Sequence, residues 1–564
     1  MSTDTQPGAE SPADAFVAQP FLREQLGLNG DHARAAGDGA DSFRDGADGD
    51  GRARLPVDIR ASLEQVRPDR GRFHGAKFSL GYFPAREVFA MDADKFGYLT
   101  KPKVRSKSRL PLNANSRALL EKLGHLMGNS GRETAPDSTT PSGYTYVGQF
   151  VDHDITLDVS SALDSPTLVD AHVINNMRSP LLDLDSVYGR GPAVDAFLYA
   201  APAPGEPASA FRMLLGTNLP SGLGGAGGSA GAAGMVAHTD FDVPRTSALT
   251  AIIGDPRNNE NLIVSQLHLT MLRFHNAIVD SLVASGFAGD IFVEAKRQAT
   301  LHYQWAVVHD FLPRICGQAA VDDALASAPG FPPPGSPFTM PVEFSVAAYR
   351  FGHSMIRDEY WLNFELRNKP MSDVFAFIHE PHLPVRSNWV VDFNAFFETG
   401  IPVPVFNNAR KIDSVLASAL EDLDGNGIPN ELMGVLAVRN LLRGLVLGLP
   451  SGQATAAALG VPVLSTAHLT AGLPADEVAV LQEQGGLLLQ KTPLWYYVLR
   501  EAMVAANGEH LGPLGAKIVA DTFARMLRRD ALSLLNVPFA PTLGAAPGTF
   551  TFADLVRVAK VIGV

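Results

Sequence analysis

The chain has 564 residues, a formal net charge of −13 and a single cysteine, Cys316. One cysteine excludes an intramolecular disulfide, a cysteine zinc site and a four-cysteine iron–sulfur centre, and 59 Asp+Glu against 46 Lys+Arg speaks against a nucleic-acid partner. At 46% apolar residues the chain can bury a sizeable core, yet no stretch reaches the roughly 18 uninterrupted apolar residues of a membrane span.

Residues 1–70 read as a solvated tail: Asn29 to Arg54 is mostly Gly, Ala, Asp and Arg, with almost nothing to bury. The start, MSTDTQPGAESPADAF, has no basic n-region and no apolar h-region. A cytoplasmic location is the simplest expectation, with leaderless export as the other route. Residues 71–564 have the texture of one large folded body.

Helical periodicity dominates that body. Ser116 to Met127 places Leu119, Leu120, Leu123, Leu126 and Met127 on one stripe. Asn259 to Val283 and Phe292 to Leu312 predict two long helices, the second stopped by Pro313. Further helices are predicted over Ile412–Leu420, Leu432–Leu447, Ala475–Gln490, Leu494–Ala506 and Leu514–Asn536. Loops are expected at Ser221–Gly234, Ala328–Pro341 and Pro538–Gly548. Alternating strand patterns are few and short, so the fold class is mainly α.

Two matches to known motifs fail on context. Gly222 to Gly227 spells GxGxxG, but Asn218-Leu-Pro-Ser precedes it where a dinucleotide site needs a strand. Asp422 to Gly427 opens like a calcium-binding EF-hand, but position twelve is Met433 where a bidentate Glu is required. His268 and His275, seven apart on one predicted helix, read as a satisfied core pair.

Four short segments concentrate polar residues in apolar surroundings. In Gly148-Gln-Phe-Val-Asp-His-Asp154, Gln149 and His153 share a helical face. Gly254-Asp-Pro-Arg-Asn-Asn-Glu-Asn261 looks like a capped helix start carrying Arg257 and Glu260. Ala348-Tyr-Arg-Phe-Gly-His-Ser-Met-Ile356 holds one histidine. Val438-Arg-Asn-Leu-Leu-Arg-Gly444 sets an asparagine in an aliphatic and basic run. Each has an ordinary core or surface explanation by itself.

Together and in this order, the four segments resemble the animal-type haem peroxidase family, over roughly residues 75–560. The resemblance implies one large, mainly helical haem-binding body. It implies His153 as distal histidine, Arg257 as distal arginine and Gln149 as the distal glutamine beside a halide or water site. His353 would be the proximal iron ligand, with Asn440 accepting a hydrogen bond from its imidazole. Arg350, three residues before His353, counts with the haem-binding residues. Asp152 and Glu260 match the two carboxylates that can become esterified to haem b, which leaves the covalent state open. The residue after Glu260 is Asn261, where a methionine would be needed for a sulfonium link. A calcium site is implied at Asp154 together with the loop Ser179-Pro-Leu-Leu-Asp-Leu-Asp185, through Ser179, the Leu181 carbonyl, Asp183 and Asp185.

The implied activity is reduction of hydrogen peroxide with oxidation of a halide, a pseudohalide or a small aromatic donor. One rival is a fatty-acid dioxygenase of the same superfamily. Such enzymes carry a tyrosine three residues before the proximal histidine; that position here is Arg350, and Tyr349 lies one residue away. On a regular α-helix that slip turns a side chain by about 100°. The other rival is a non-catalytic haem- or calcium-binding interaction protein.

Overall fold

The structure, a computed structural model, describes residues 94–128, 136–158, 165–206, 211–219, 240–327, 338–379, 384–421, 423 and 434–561. The expected tail (1–70), the loop at Ser221–Gly234, the GxGxxG match and all of the EF-hand-like match but Leu423 lie outside the described residues.

Among the described residues nine α-helices have ten residues or more: α1 (Ala114–Met127), α2 (Gly143–Ile155), α3 (Leu262–Ala284), α4 (Ile291–Ala306), α5 (Gln318–Ser327), α6 (Leu436–Val446), α7 (Ala475–Gln490), α8 (Leu494–Ala506) and α9 (Pro513–Arg529). Strands occur as three two-stranded pieces: Lys95–Gly97 parallel to Thr339–Pro341, Asp137–Pro141 antiparallel to Asn408–Arg410, and Glu359–Tyr360 antiparallel to Lys369–Pro370. The expected mainly α class is what the chain adopts. Two of the ribbons anchor site segments: one strand leads into α2, another into the segment that carries His353. None of the described helices is long and apolar enough to cross a membrane.

The apolar stripes account for the packing. α1 lays Leu119, Leu120, Leu123 and Met127 against α6 and α7. α2 is buried on nearly every side through Tyr144, Tyr146, Val147, Phe150 and Val151, which marks it as a core helix. It packs against α3, which is itself buried along most of its length. α8 and α9 close the other side of the His353 segment. The core that joins them includes Phe150, Tyr303, Phe311, Phe344, Trp361 and Tyr496.

Several boundaries differ from the periodicity reading. The expected helix at Ile412–Leu420 is instead an irregular stretch ending in a 3-10 turn at Ser418–Leu420. Asp413 accepts a hydrogen bond from the Val415 amide at 2.8 Å, a local turn that competes with helix. Pro313 does not stop its helix. The backbone widens into a π turn over Val307–Phe311 and continues as Leu312–Cys316. That wider turn accommodates a ring that would clash with the carbonyl four residues back. α3 starts at Leu262, capped by Asn261, after a separate 3-10 turn at Pro256–Asn259. α7 breaks at Glu483–Gly486 into non-helical backbone. α9 ends at Arg529 because Asn536 folds back and donates to the carbonyls of Leu527, Arg528 and Asp530.

Candidate active site

α2 presents Gln149, Asp152, His153 and Asp154 from one and a half turns of helix. Asp255, Arg257, Asn258 and Glu260 come from the 3-10 turn that meets α2 at its C-terminal end. His353 and Arg350 lie on a 3-10 helix, Ala348–Met355, that follows a π turn at Glu343–Ala347. Asn440 comes from α6. All of these segments sit deep in the core, so their polar groups need partners inside the protein.

The first two segments form one network. Arg257 donates through Nη2 to the His153 carbonyl at 2.9 Å and to Asp255 at 2.7 Å. Gln149 donates to Glu260 and accepts from Asn261 at 3.1 Å. The Nε2 of His153 lies 3.7 Å from Glu260 Oε1, and its Nδ1 lies 2.8 Å from Asn258 Oδ1. Burial holds the His153 imidazole down at about 3, with Arg257 adding to the effect, so the ring is neutral at ordinary pH. Burial pushes Glu260 up to about 8 against the opposing pull of Arg257. Burial also raises Asp152, opposed by Arg350 and Arg257, while Thr156 donates to it at 2.8 Å.

The fourth and third segments form the second half. The amide nitrogen of Asn440 lies 2.8 Å from His353 Nδ1, and its oxygen accepts from Arg350 at 3.3 Å. Asn440 thus faces the imidazole at Nδ1, here with its oxygen toward the Arg350 guanidinium and its nitrogen toward the ring. With the ring proton on Nδ1, as iron ligation through Nε2 requires, the amide turns over and its oxygen faces the ring. Burial, with Arg350 and Arg439, keeps His353 neutral. Trp495 stands edge-on to His353, ring centres 6.4 Å apart, and donates to the Arg350 carbonyl at 3.1 Å.

Asp152 and Arg257 of the first half and Arg350 of the second line one cleft, together with Thr156, Ser345 and Val346 among others. A Cβ added at Gly352, next to His353 in the chain, would meet nothing within 4 Å. The cleft, two neutral buried imidazoles and a rim of Asp152, Arg257 and Arg350 fit a flat, anionic cofactor with a metal at its centre.

The loop Ser179–Asp185 wraps around Asp154. Ser186 donates to Asp154 through Oγ at 2.9 Å, and Leu184 donates to it through its amide at 3.3 Å. Burial raises the Asp154 carboxyl well above its ordinary range, and Asp185 and Asp183 add to the effect. Ser179 Oγ and Asp183 Oδ1 are buried without a hydrogen-bond partner. Leu182 and Leu184 both adopt left-handed backbone, φ 53° and 59°, although fully buried. The Leu181 carbonyl receives a long contact from Gln304, 3.4 Å. Among the described residues no three His, Cys, Asp or Glu side chains form a metal-holding group. A cation here would therefore depend on hydroxyl and carbonyl oxygens as well as carboxylates, which suits calcium.

The structure thus brings together every residue singled out in the four segments. Arg178 and Trp495 are not marked by linear spacing, because nothing in their neighbourhood separates them from ordinary core polar or aromatic residues; Asp255 and Asn258 lie within the second segment, and His268, read as half of a satisfied core pair, joins it through Asn258.

The sequence profile described as animal haem peroxidase matches residues 169–532. Arg257, His353 and Asn440 lie inside that match, whereas Gln149, Asp152, His153 and Asp154 precede it and are tied to it by the contacts above. Thyroid peroxidase of Sus scrofa is 27% identical over 330 residues, 55% of this chain and 32% of the relative. The chain spans well under two thirds of the length of the curated relatives it matches. Among solved structures, peroxidase A from Dictyostelium discoideum matches with TM-score 0.56 and 17% identity, covering 84% of this chain and 94% of that one. A fatty acid alpha-dioxygenase from Oryza sativa matches with TM-score 0.55 and 15% identity, covering 97% and 95%. These two likenesses show the shared helical fold. The profile match spans more than half of the chain and contains the His353 segment and its partners, and on that ground the chain belongs to the animal haem peroxidase family, whose members bind haem.

Proposed function

We propose that the chain is a haem-dependent peroxidase that uses hydrogen peroxide to oxidise a halide, a pseudohalide or a small aromatic donor. The observation that carries this reading is that Arg257, which donates to the His153 carbonyl, and Arg350, which is held by the Asn440 that meets His353, converge on one cleft. His353 would hold the iron, and Asp152 and Arg350 would border the ring. Haem supplies the electrons that break the peroxide O–O bond.

The protein's part is proton handling and charge. A neutral His153 takes the peroxide proton on Nε2 and returns it to the departing oxygen. Arg257 is pinned through Nε and Nη2 to Asp255, so it offers positive charge to the departing oxygen without reorganising. Gln149, held by Glu260 and Asn261, offers an amide edge beside His153 for water or a small anion. Asp152 and Glu260 are the candidates for ester links to the cofactor. Calcium at Asp154, Ser179, Leu181, Asp183 and Asp185 would brace the end of α2 next to His153.

The test is an absorption spectrum with peroxide titration on His153→Ala and His353→Ala. The expected result is that the first keeps haem but reacts about 10²- to 10⁴-fold more slowly, and the second loses iron ligation. Wild-type behaviour in both sinks the assignment.

One observation favours a second reading, fatty-acid oxygenation. The helix before His353 is π and 3-10, so the turn-angle argument against Tyr349, which assumed a regular α-helix, does not hold. Tyr349 is buried, its Oη has no hydrogen-bond partner, and its ring stacks on Phe344 at 4.7 Å. Rapid oxygen uptake with linoleate in the absence of peroxide would select this reading. A full haem absorption band with no oxidation of guaiacol, iodide or bromide would select the non-catalytic one.

A further inference from the structure

The two histidines of α3 have different surroundings. His275 is satisfied at both ring nitrogens, with Tyr188 Oη at 3.0 Å and the Phe211 carbonyl at 2.8 Å. His268 touches a polar group at Nδ1 only, 3.0 Å from Asn258 Nδ2, and its Nε2 has no hydrogen-bond partner. The other end of the same amide, Asn258 Oδ1, lies 2.8 Å from His153 Nδ1. His153, Asn258 and His268 are all 0% exposed, so no water competes for these atoms. The result is a continuous line: imidazole, amide, imidazole.

An amide in that position removes a choice. Its oxygen can only accept, so His153 Nδ1 carries the proton and Nε2 keeps its lone pair. Its nitrogen can only donate, so His268 presents a bare Nδ1 and carries its own proton on Nε2. Turned end over end, the amide would offer N–H to His153 and drive the imidazole proton to Nε2, where a base is needed. A backbone carbonyl would also fix the tautomer of His153. What this arrangement adds is a contact with His268, which sits on a different element from His153 and places its Nδ1 3.0 Å from the amide nitrogen.

We propose that Asn258, oriented by His268, is the positioning residue that holds His153 as its Nδ1–H tautomer. The proposal rests on reading His153 as the proton acceptor for peroxide. Neither residue touches the cleft, and each acts only through His153.

The test uses full-length protein labelled with ¹⁵N-histidine, measured by NMR without haem and again in the diamagnetic ferrous carbonyl form. In wild type, His153 is expected to show a protonated Nδ1 and an unprotonated Nε2. Asn258→Asp keeps an acceptor at the same place and retains that pattern. Asn258→Leu loses it, giving a mixture or the Nε2–H form. His268→Phe leaves Asn258 in place but frees the amide to turn, so it too yields a mixture, which a merely structural role for His268 would not produce. Peroxide consumption in the haem-loaded Asn258→Leu protein falls about 10²-fold or more, the scale of acid–base catalysis, and stays near wild type in Asn258→Asp.

A wild-type His153 protonated at Nε2, or a tautomer untouched by both Asn258→Leu and His268→Phe, overturns the proposal. So does a tautomer shift that leaves peroxide consumption unchanged. If wild type itself is inert toward peroxide while the tautomers respond as expected, the peroxidase reading falls and the control of His153 by Asn258 and His268 stands.

Discussion

Arg178 and Asp255 form a buried ion pair at 2.8 Å, and the same carboxylate holds Arg257 at 2.7 Å. Arg178 is also 3.6 Å from Asp185 of the loop around Asp154. The guanidinium that lines the cleft is therefore connected to that loop through two charged side chains. Burial alone would raise the Asp255 carboxyl, but Arg178 and Arg257 outweigh it and hold it well below the ordinary carboxylate range. Its contribution to stability is present at neutral pH and is lost only as pH falls through that depressed value.

Replacing Asp255 with Asn strands two buried guanidiniums. The expected loss of stability is about 3–5 kcal/mol, the cost of breaking a buried pair by removing one partner. Urea unfolding at pH 7 measures it. A loss under 1 kcal/mol would show that Arg178 and Arg257 find other acceptors.

Gly124 lets α1 approach the helix that carries Asn440. A Cβ there would come within 2.6–2.8 Å of Val438, including its backbone nitrogen. Gly124→Ala is expected to cost about 1–3 kcal/mol of overpacking and to shift α6, so that the Asn440–His353 contact loosens. Thermal melting reads the first effect, and the haem absorption band position reads the second. An unchanged melting temperature would mean that α1 and α6 can separate freely.

Glu501 gives a pH dependence with a definite sign. Its Oε2 accepts from the amides of Leu514 and Gly515 at the start of α9, but burial wins and pushes the carboxyl up to about 7. The folded state therefore binds this proton more tightly than the unfolded chain does. Stability from this group is greatest at low pH and is lost as pH rises from about 4.5 toward 7, by up to about 3 kcal/mol at 1.36 kcal/mol per unit. In Glu501→Gln that part of the decline disappears. Denaturation curves at pH 5 and pH 8 test it: equal declines in variant and wild type contradict the assignment.

Calcium is expected to bind at Asp154 and the Ser179–Asp185 loop. At about one hundred times its dissociation constant it would add about 3 kcal/mol of stability. Melting in calcium and in EGTA measures this, and Asp183→Asn should abolish most of the difference. Identical melting under both conditions in wild type removes calcium from the site.

The sequence by itself determined the class of the fold and the four polar segments. Helical periodicity is a local property, and α1, α3, α4 and α8 follow it closely. It failed where short-range chemistry competed with periodicity, at Asp413, at Pro313 and in the 3-10 and π backbone around His353.

Only the tertiary structure decided the partners. Asn258 and His153 are 105 positions apart. Arg178 and Asp255 are 77 apart, and Asn440 and His353 are 87 apart. Tautomer, amide orientation and ion pairing depend on which buried groups are forced to satisfy one another once water is excluded, and that exclusion exists only when the helices have packed.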